Sequence, residues 1–280
     1  MKSSASSFLK SSAKSGLLGF LRLCSPGLGK RASILMYHSV GENQAFFTVK
    51  PEAFESQMRY LSEKGFKLVR LSELVRSLRA GESIASQVAV TFDDAYRDVY
   101  ENAFPVLKKY KIPATIFIPT GLIGKFITAS GGVTLPIMTE EMMKEMLAEQ
   151  VSGTEGSQAG SLIEFMPHGV THREFSSLSV AELAEELSAP QQALRALGSD
   201  GSVVAYPRGK FNDAIVGASR EFYQAGVTVN EGLVLPADDP YRLRRNSIDS
   251  STTMGQFKAK VSGAIELYQN LKASLSKESK

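Results

Sequence analysis

Two places in this 280-residue sequence concentrate side chains that could do chemistry. The first is Val88-Ala89-Val90-Thr91-Phe92-Asp93-Asp94, an apolar run that ends abruptly in two adjacent carboxylates. Adjacent acids after a buried strand repel each other. One resolution is a division of labour, in which one carboxylate binds a cation and the other stays free as a general base. The other is a solvated turn or helix start, which nearby Asp98 would fit. The second place holds His168 and His172, two of the three histidines in the chain, four residues apart and directly after another apolar run. On a helix that spacing would set both imidazoles on one face for a metal. Pro167, Gly169, Val170 and Thr171 argue instead for a structured strand-to-helix loop. Histidines capping a loop are the competing reading, but in so histidine-poor a chain the pairing favours a metal. Two imidazoles and one aspartate would leave coordination positions open for water and substrate, as a catalytic zinc-like site requires.

These residues are far apart in sequence, so a scaffold must bring them together. From about Ser33 onward, short β-rich runs alternate with stretches of helical apolar spacing, the pattern of an α/β fold with a parallel sheet. Strands are expected at Ser33 to Tyr37, Lys67 to Leu71, Val88 to Phe92, Thr115 to Ile118, Leu162 to Met166, Val203 to Tyr206 and Val227 to Val229. Helices are expected at Pro51 to Lys64, Ser72 to Leu78, Val99 to Tyr110, Glu140 to Glu149, Val180 to Leu197, Asn212 to Gln224 and Gln256 to Leu271. Pro51 suits a first helical turn, Thr139 followed by two glutamates suits an N-cap, and Gly65 and Gly198 supply stops. The Gly-, Ser- and Gln-rich stretch from Gln150 to Ser161 reads as an exposed loop. Periodicity alone leaves a barrel and an open doubly wound sheet both standing. The unusual residues, however, follow strand ends: His38, Asp93 with Asp94, His168, and Pro207 with Arg208. In parallel α/β folds sites form at that edge, and a barrel gathers all of them most simply.

In order along the chain, Ile34-Leu35-Met36-Tyr37-His38-Ser39-Val40, Thr91-Phe92-Asp93-Asp94, Pro113-Ala114-Thr115-Ile116-Phe117, His168-Gly169-Val170-Thr171-His172 and Ala205-Tyr206-Pro207-Arg208-Gly209 resemble the polysaccharide deacetylase domain, family four of the carbohydrate esterases. The likeness covers roughly residues 33 to 250. It implies a distorted (β/α)7 TIM-like barrel and a metal-dependent hydrolase that removes N-acetyl groups from an N-acetylated glycan. It implies that Asp94, His168 and His172 bind one divalent metal, with zinc favoured over cobalt, nickel, manganese or iron, and that Asp93 is the general base. Tyr206, Pro207 and Arg208 resemble a substrate-groove segment in which the N–H after the proline, that of Arg208, stabilises the oxyanion. Arg245 is similar to the arginine that orients the base, with Arg244 as a rival.

The departures from the family pattern concern the acid and the groove. No histidine follows His172, so the family's late acid is absent from its usual place. His38 is the candidate replacement, as in the subgroup with an early Tyr-His; the alternative is a buried histidine at the barrel mouth. Pro167, Phe175 and Arg208 also depart and bear on substrate identity. A carbohydrate-binding protein without an effective acid, or an amidase of a small or lipid-linked sugar, would keep the same metal residues.

Composition bounds the remainder. A net charge of +3 is too mild for a dedicated nucleic-acid binder, and the single cysteine, Cys24, excludes an internal disulfide and a multi-cysteine metal site. Residues 1–31 form a basic leader, with six positive charges and no acid before Glu42. Its apolar stretch is short and broken by Arg22, which argues against a transmembrane helix or an export signal. A serine-rich arm and a peripheral anchor on an anionic membrane both fit it, and a cytoplasmic or membrane-peripheral location is expected. The catalytic barrel is expected over 32–252, with a C-terminal helix and tail over 253–280.

Overall fold

The computed structural model describes residues 29–129, 131–152 and 160–264, so most of the leader and the end of the tail lie outside the described residues. Eight short parallel strands carry the fold: β1 (Ser33–Tyr37), β2 (Lys67–Leu68), β3 (Gln87–Phe92), β4 (Ala114–Ile118), β5 (Ile163–Pro167), β6 (Val203–Ala205), β7 (Ala225–Val227) and β8 (Asn246–Ser247). Helices α1 (Pro51–Glu63), α2 (Leu71–Arg79), α3 (Phe104–Tyr110), α4 (Glu140–Ala148), α5 (Val180–Ala196), α6 (Asp213–Ser219) and α7 (Met254–Ser262) accompany them. Among the described residues, no helix is long and apolar enough to cross a membrane.

The main sheet runs β8-β1-β3-β4-β5, with β2 pairing the start of β3. Every residue of β1, β3, β4 and β5 is buried, as expected of parallel strands covered on both faces. Period-two alternation divides their side chains into two layers. Ile34, Ala89, Phe117, Met166, Val203, Ala205 and Val227 form the inner cluster. Leu35, Val90, Phe92, Ile116 and Phe165 join the cluster beneath the helices, which includes Phe54, Met58 and Leu61 of α1.

The ring of strands is distorted, as expected, and among the described residues its main-chain ladder does not close. β6 and β7 form a separate pair, and Val227 bridges Leu243 just ahead of β8, which in turn pairs with β1. Between β5 and the three-residue β6, side chains replace a ladder. Ser199 Oγ accepts from Phe165 N and donates to Phe165 O, both at 2.8 Å, and His168 Nδ1 meets Ala205 O at 2.8 Å.

Several expected boundaries shift. The helix expected over Val99 to Tyr110 is a π turn (Val99–Ala103) leading into α3, because Pro105 has no N–H for an i→i−4 bond. The last expected inner strand lies two residues earlier, at β7. Gly226 fits there because a Cβ would collide with the ring of Tyr206. Helix α6 ends at Ser219, and the chain turns so that Tyr223 packs into the layer beneath the helices. The stretch Gln150 to Ser161 forms a small antiparallel pair at its two ends. Helix α7 starts from a reciprocal cap between Thr253 and Gln256 and stops at Gly263, whose φ is +75°. Its Phe257 and Val261 are buried in the main core, so the helix packs as part of the barrel body.

Candidate active site

The inward parity of the strands continues past their ends and delivers the site. Ile34 and Met36 lead to His38, Ala89 and Thr91 lead to Asp93, and Met166 leads to His168. The ladder extends one residue beyond β3, with Asp93 N donating to Tyr37 O at 2.9 Å. The chain then passes through two left-handed residues, Asp94 (φ +69°) and Ala95 (φ +54°). Such a conformation is costly for residues with a Cβ, and it sends the two neighbouring carboxylates to different partners.

Asp93 turns to Arg245. Its two oxygens accept from Arg245 Nη1 and Nη2 at 2.6 and 2.7 Å. The arginine is fully buried, donates through Nε to Thr228 O at 2.9 Å, and lies over the Phe117 ring. Burial pushes the Asp93 carboxyl up, but the Arg245 charge and hydrogen bonds outweigh it and hold the group below the usual range. Arg244, the rival in the sequence, is exposed.

Asp94 turns to the histidines. Its Oδ1 lies 3.0 Å from His172 Nε2 and 3.5 Å from His168 Nε2, yet among the described residues this buried oxygen has no partner in hydrogen-bonding geometry. Burial raises the carboxyl's proton affinity, and the neighbouring imidazoles, His172 foremost, reverse that and hold it well below the carboxylate range. The carbonyl of Ala205 can only accept, so Nδ1 of His168 carries a proton and Nε2 is the nitrogen turned to Asp94. One ligand atom from each of Asp94, His168 and His172 lies within 4.8 Å of the others. An unpartnered carboxylate oxygen beside two imidazole nitrogens fits a divalent cation.

The loop carrying His172, itself left-handed at φ +61°, is held from both sides. Gly121 N donates to Val170 O at 2.9 Å and Thr120 N to Gly169 O at 3.1 Å. From α5, the buried carboxylate of Glu186 accepts from Val170 N at 2.5 Å, Thr171 N at 3.1 Å and Thr171 Oγ1. Sequence reasoning missed Glu186, although it sits on the inner stripe of α5 with Leu183, Leu187, Pro190 and Leu194. It also missed Tyr96, which is buried, stacks on Phe47 at 5.6 Å, and has its phenol pushed far up by burial and then by the Asp94 charge. Nothing in the local sequence marks Tyr96.

A cleft of about 410 Å³ is lined by His38, Asp93, Asp94, His168, His172 and Arg208, with Phe46, Phe47, Ile127 and Val229 among its apolar walls. Burial lowers the proton affinity of His38, against the raising influence of Asp93 and Asp94. Arg208 reaches the cleft through a left-handed backbone (φ +54°). Tyr206 and Pro207 do not line it. Tyr206 shares the outward parity of Val204, packs in the cluster beneath α5 and α6, and donates to Tyr241 O at 2.9 Å. The expectation that Tyr206 and Pro207 touch substrate is therefore corrected; both support the turn that presents Arg208.

The family description "Polysaccharide deacetylase" matches residues 80–227. YxkH of Bacillus subtilis, a chain named for the same family, is 31% identical over 229 residues, 81% of this chain and 74% of that one. A poly-beta-1,6-N-acetyl-D-glucosamine N-deacetylase of Staphylococcus epidermidis is 30% identical over 204 residues, 71% of this chain and 67% of that one. Among solved structures, the Streptococcus pyogenes deacetylase PplD in complex with acetate superposes with a TM-score of 0.68 at 29% identity, covering 82% of this chain and 98% of that one. IcaB from Ammonifex degensii gives a TM-score of 0.68 at 25% identity, covering 84% and 98%. The chain belongs to the polysaccharide deacetylase family, and its fold is that family's distorted barrel.

Proposed function

We propose that this chain hydrolyses the acetamido group of N-acetylglucosamine residues in a β-1,6-linked glycan, with Asp93 as general base beside a metal held by Asp94, His168 and His172. The observation that carries the reading is the convergence of those three donors on an unpartnered carboxylate oxygen, next to a second carboxylate kept ionised by Arg245. The linkage follows the named substrate of the staphylococcal relative. Two imidazoles and a carboxylate suit zinc first, with cobalt, nickel, manganese and iron as alternatives. When bound, the metal supplies Lewis-acid polarisation of the amide carbonyl and of the attacking water.

The chain's own residues supply the proton handling. Asp93 is ionised and fixed in plane by the two guanidinium bonds, so it takes the proton of the attacking water without reorganising. The N–H of Arg208 donates to the oxygen that becomes anionic during attack. The proton that Asp93 takes from the water is passed through His38, on the wall of the same cleft, to the departing amine as the amide C–N bond breaks. The products are acetate and a free amino sugar. The basic segment 1–31 supports a location on an anionic membrane surface at the cytoplasmic face; vesicle co-sedimentation lost on deleting residues 1–31 is the expected result, and unchanged partitioning removes this part of the reading.

The test measures metal content and acetate release for wild type, Asp93→Asn and His168→Ala on β-1,6-linked N-acetylglucosamine oligomers. Asp93→Asn is expected to keep its metal and lose activity, and His168→Ala to lose metal. Metal bound equally by wild type and His168→Ala overturns the ligand assignment.

A further inference from the structure

A proton relay through His38 needs its imidazole in a fixed place, yet among the described residues no hydrogen bond orients that ring. What meets it is Phe47, with ring centroids 5.1 Å apart and planes tilted by 31°. Phe47 in turn stacks on Tyr96, 5.6 Å away and nearly parallel. Phe47 belongs to the loop that joins two short parallel strands, Ser39–Val40 and Thr48–Val49. The pose of His38 therefore depends on how firmly that loop is held.

The loop is held from outside the cleft. Alternation sends His38 inward and Ser39 to the opposite side, where the buried Ser39 Oγ donates to Asp98 Oδ2 at 2.6 Å. Asn43 Nδ2 donates to Ser39 Oγ at 2.8 Å and to Asp98 Oδ2 at 3.3 Å. Asn43 Oδ1 accepts from Thr48 Oγ1 at 2.6 Å and from Ala45 N at 3.0 Å. These bonds converge, directly or through Ser39 and Asn43, on Asp98 Oδ2, whereas the buried Oδ1 has no partner among the described residues. Gly41 enters the loop against the same Oδ2, where a Cβ would stand 3.2 Å from it. Asp98 follows Asp94 along the chain after β3, so the segment that carries a metal ligand also carries the anchor of the loop. Asp98 itself does not line the cleft.

We infer that Asp98 is a positioning residue for His38: it grips Ser39 and Asn43, which lock the loop so that Phe47 fixes the imidazole toward the cleft. The inference rests on the reading of His38 as the proton relay. The role needs an acceptor oxygen and no charge, because the bonds fall on one oxygen and the other is free of them. An asparagine at this position keeps that acceptor, and an alanine removes it.

The experiment measures kcat and KM for acetate release from a β-1,6-linked N-acetylglucosamine tetramer, and the rate of 4-nitrophenyl acetate hydrolysis. The proteins are zinc-loaded wild type, Asp98→Ala, Asp98→Asn, Ser39→Ala and His38→Gln. Misplacing the relay should lower kcat on the amide about 10- to 100-fold in Asp98→Ala and in Ser39→Ala, with KM and zinc content unchanged, and leave Asp98→Asn near wild type. Nitrophenolate departs without a proton, so the ester rate should stay near wild type in every variant. Asp98→Ala added to His38→Gln should cause no further loss on the amide, since both act at one step. Equal losses on amide and ester, a full further loss in the double variant, or an unchanged kcat in Asp98→Ala overturns the positioning role. So does a loss in Asp98→Asn as large as in Asp98→Ala. Should Asp98→Ala not fold, Ser39→Ala carries the same test. If wild type releases no acetate from the amide, the deacetylase reading fails on its own, and the His38 ring resonance, assigned by its loss in His38→Gln, decides the clamp. It should move in Asp98→Ala or Ser39→Ala toward its position in Phe47→Leu and keep its wild-type position in Asp98→Asn; an unmoved resonance overturns the clamp.

Discussion

Glu186 offers the sharpest test of how the protein holds its histidine loop. Its carboxylate accepts from Val170 N, Thr171 N and Thr171 Oγ1, so replacement by glutamine keeps the shape but turns one acceptor into a donor. The two N–H groups on Oε2 then lose their charged acceptor, and Thr171 Oγ1 must reverse to accept from the new N–H. Exchanging charged for neutral hydrogen bonds costs about 1 kcal/mol, and the loop can avoid that cost by relaxing. Relaxation moves His172, which is held in a left-handed conformation that itself costs about 1–3 kcal/mol and persists only while its surroundings impose it. The expected result for Glu186→Gln is about a 10- to 100-fold loss of metal affinity, the usual consequence of removing an outer support of a metal ligand. Competition with a chromophoric chelator measures this, and urea unfolding of the metal-free protein separates it from global destabilisation. Metal affinity within two-fold of wild type, alongside a stability loss above about 1 kcal/mol, would show that Glu186 supports the fold and does not position His172. Gly169→Ala should act in the same direction, since a Cβ there would come within 2.6 Å of Glu186 Oε2 and residue 169 has φ +76°.

The buried Asp93–Arg245 pair should behave as a coupled unit. Arg245→Met alone leaves Asp93 uncompensated and is expected to cost about 3–5 kcal/mol, while Asp93→Asn with Arg245→Met should recover part of that in urea unfolding; strictly additive effects would contradict the coupling. Asp98 predicts a pH effect on stability. Burial, opposed by hydrogen bonds from Ser39 and the backbone, pushes its carboxyl up to about 6. The folded state therefore binds the proton more tightly than the unfolded state, and the associated stability is present below about pH 4 and lost as pH rises to about 6. Asp98→Asn cannot lose it, so its thermal stability relative to wild type should be greater at pH 7 than at pH 4, by up to about 3 kcal/mol; an equal difference at both pH values would refute this. His38→Gln is expected to lower kcat by about 10²- to 10⁴-fold with metal content intact, and a kcat near wild type would remove His38 as the acid.

The fold was legible where burial makes the code strong. β1, β3 and β4 are continuous apolar runs buried on both faces, and their observed limits fall within one residue of the expected ones. Strand pieces of two or three residues lack that code. β8, Asn246-Ser247, follows a run of arginines and shows no apolar periodicity, and only its pairing with Leu35 and Met36 makes it a strand. β2 keeps two of its five expected residues because pairing to β3 is confined to Gln87 and Val88.

Parity explains which of the expected site residues face the cleft and which do not. Asp93 and His168 sit in step with inward-facing Ala89, Thr91 and Met166, so the same alternation that builds the core aims them at the cleft. Tyr206 sits in step with Val204, whose side chain faces the helices, so the alternation that puts Ala205 inside takes Tyr206 outside. Applied to Arg242-Leu243-Arg244-Arg245, the rule would have chosen between the two arginines. Leu243 is buried and Arg242 and Arg244 are exposed, which puts Arg245 inside, where Asp93 compensates its charge. Asp94, Glu186 and Tyr96 are beyond the reach of parity. The left-handed turn after β3 sends Asp94 sideways, and that turn is stable only because Arg245, the histidines and the strand ends are already assembled around it. A local sequence cannot announce a conformation that is locally unfavourable; it becomes readable only after the long-range contacts that impose it are known.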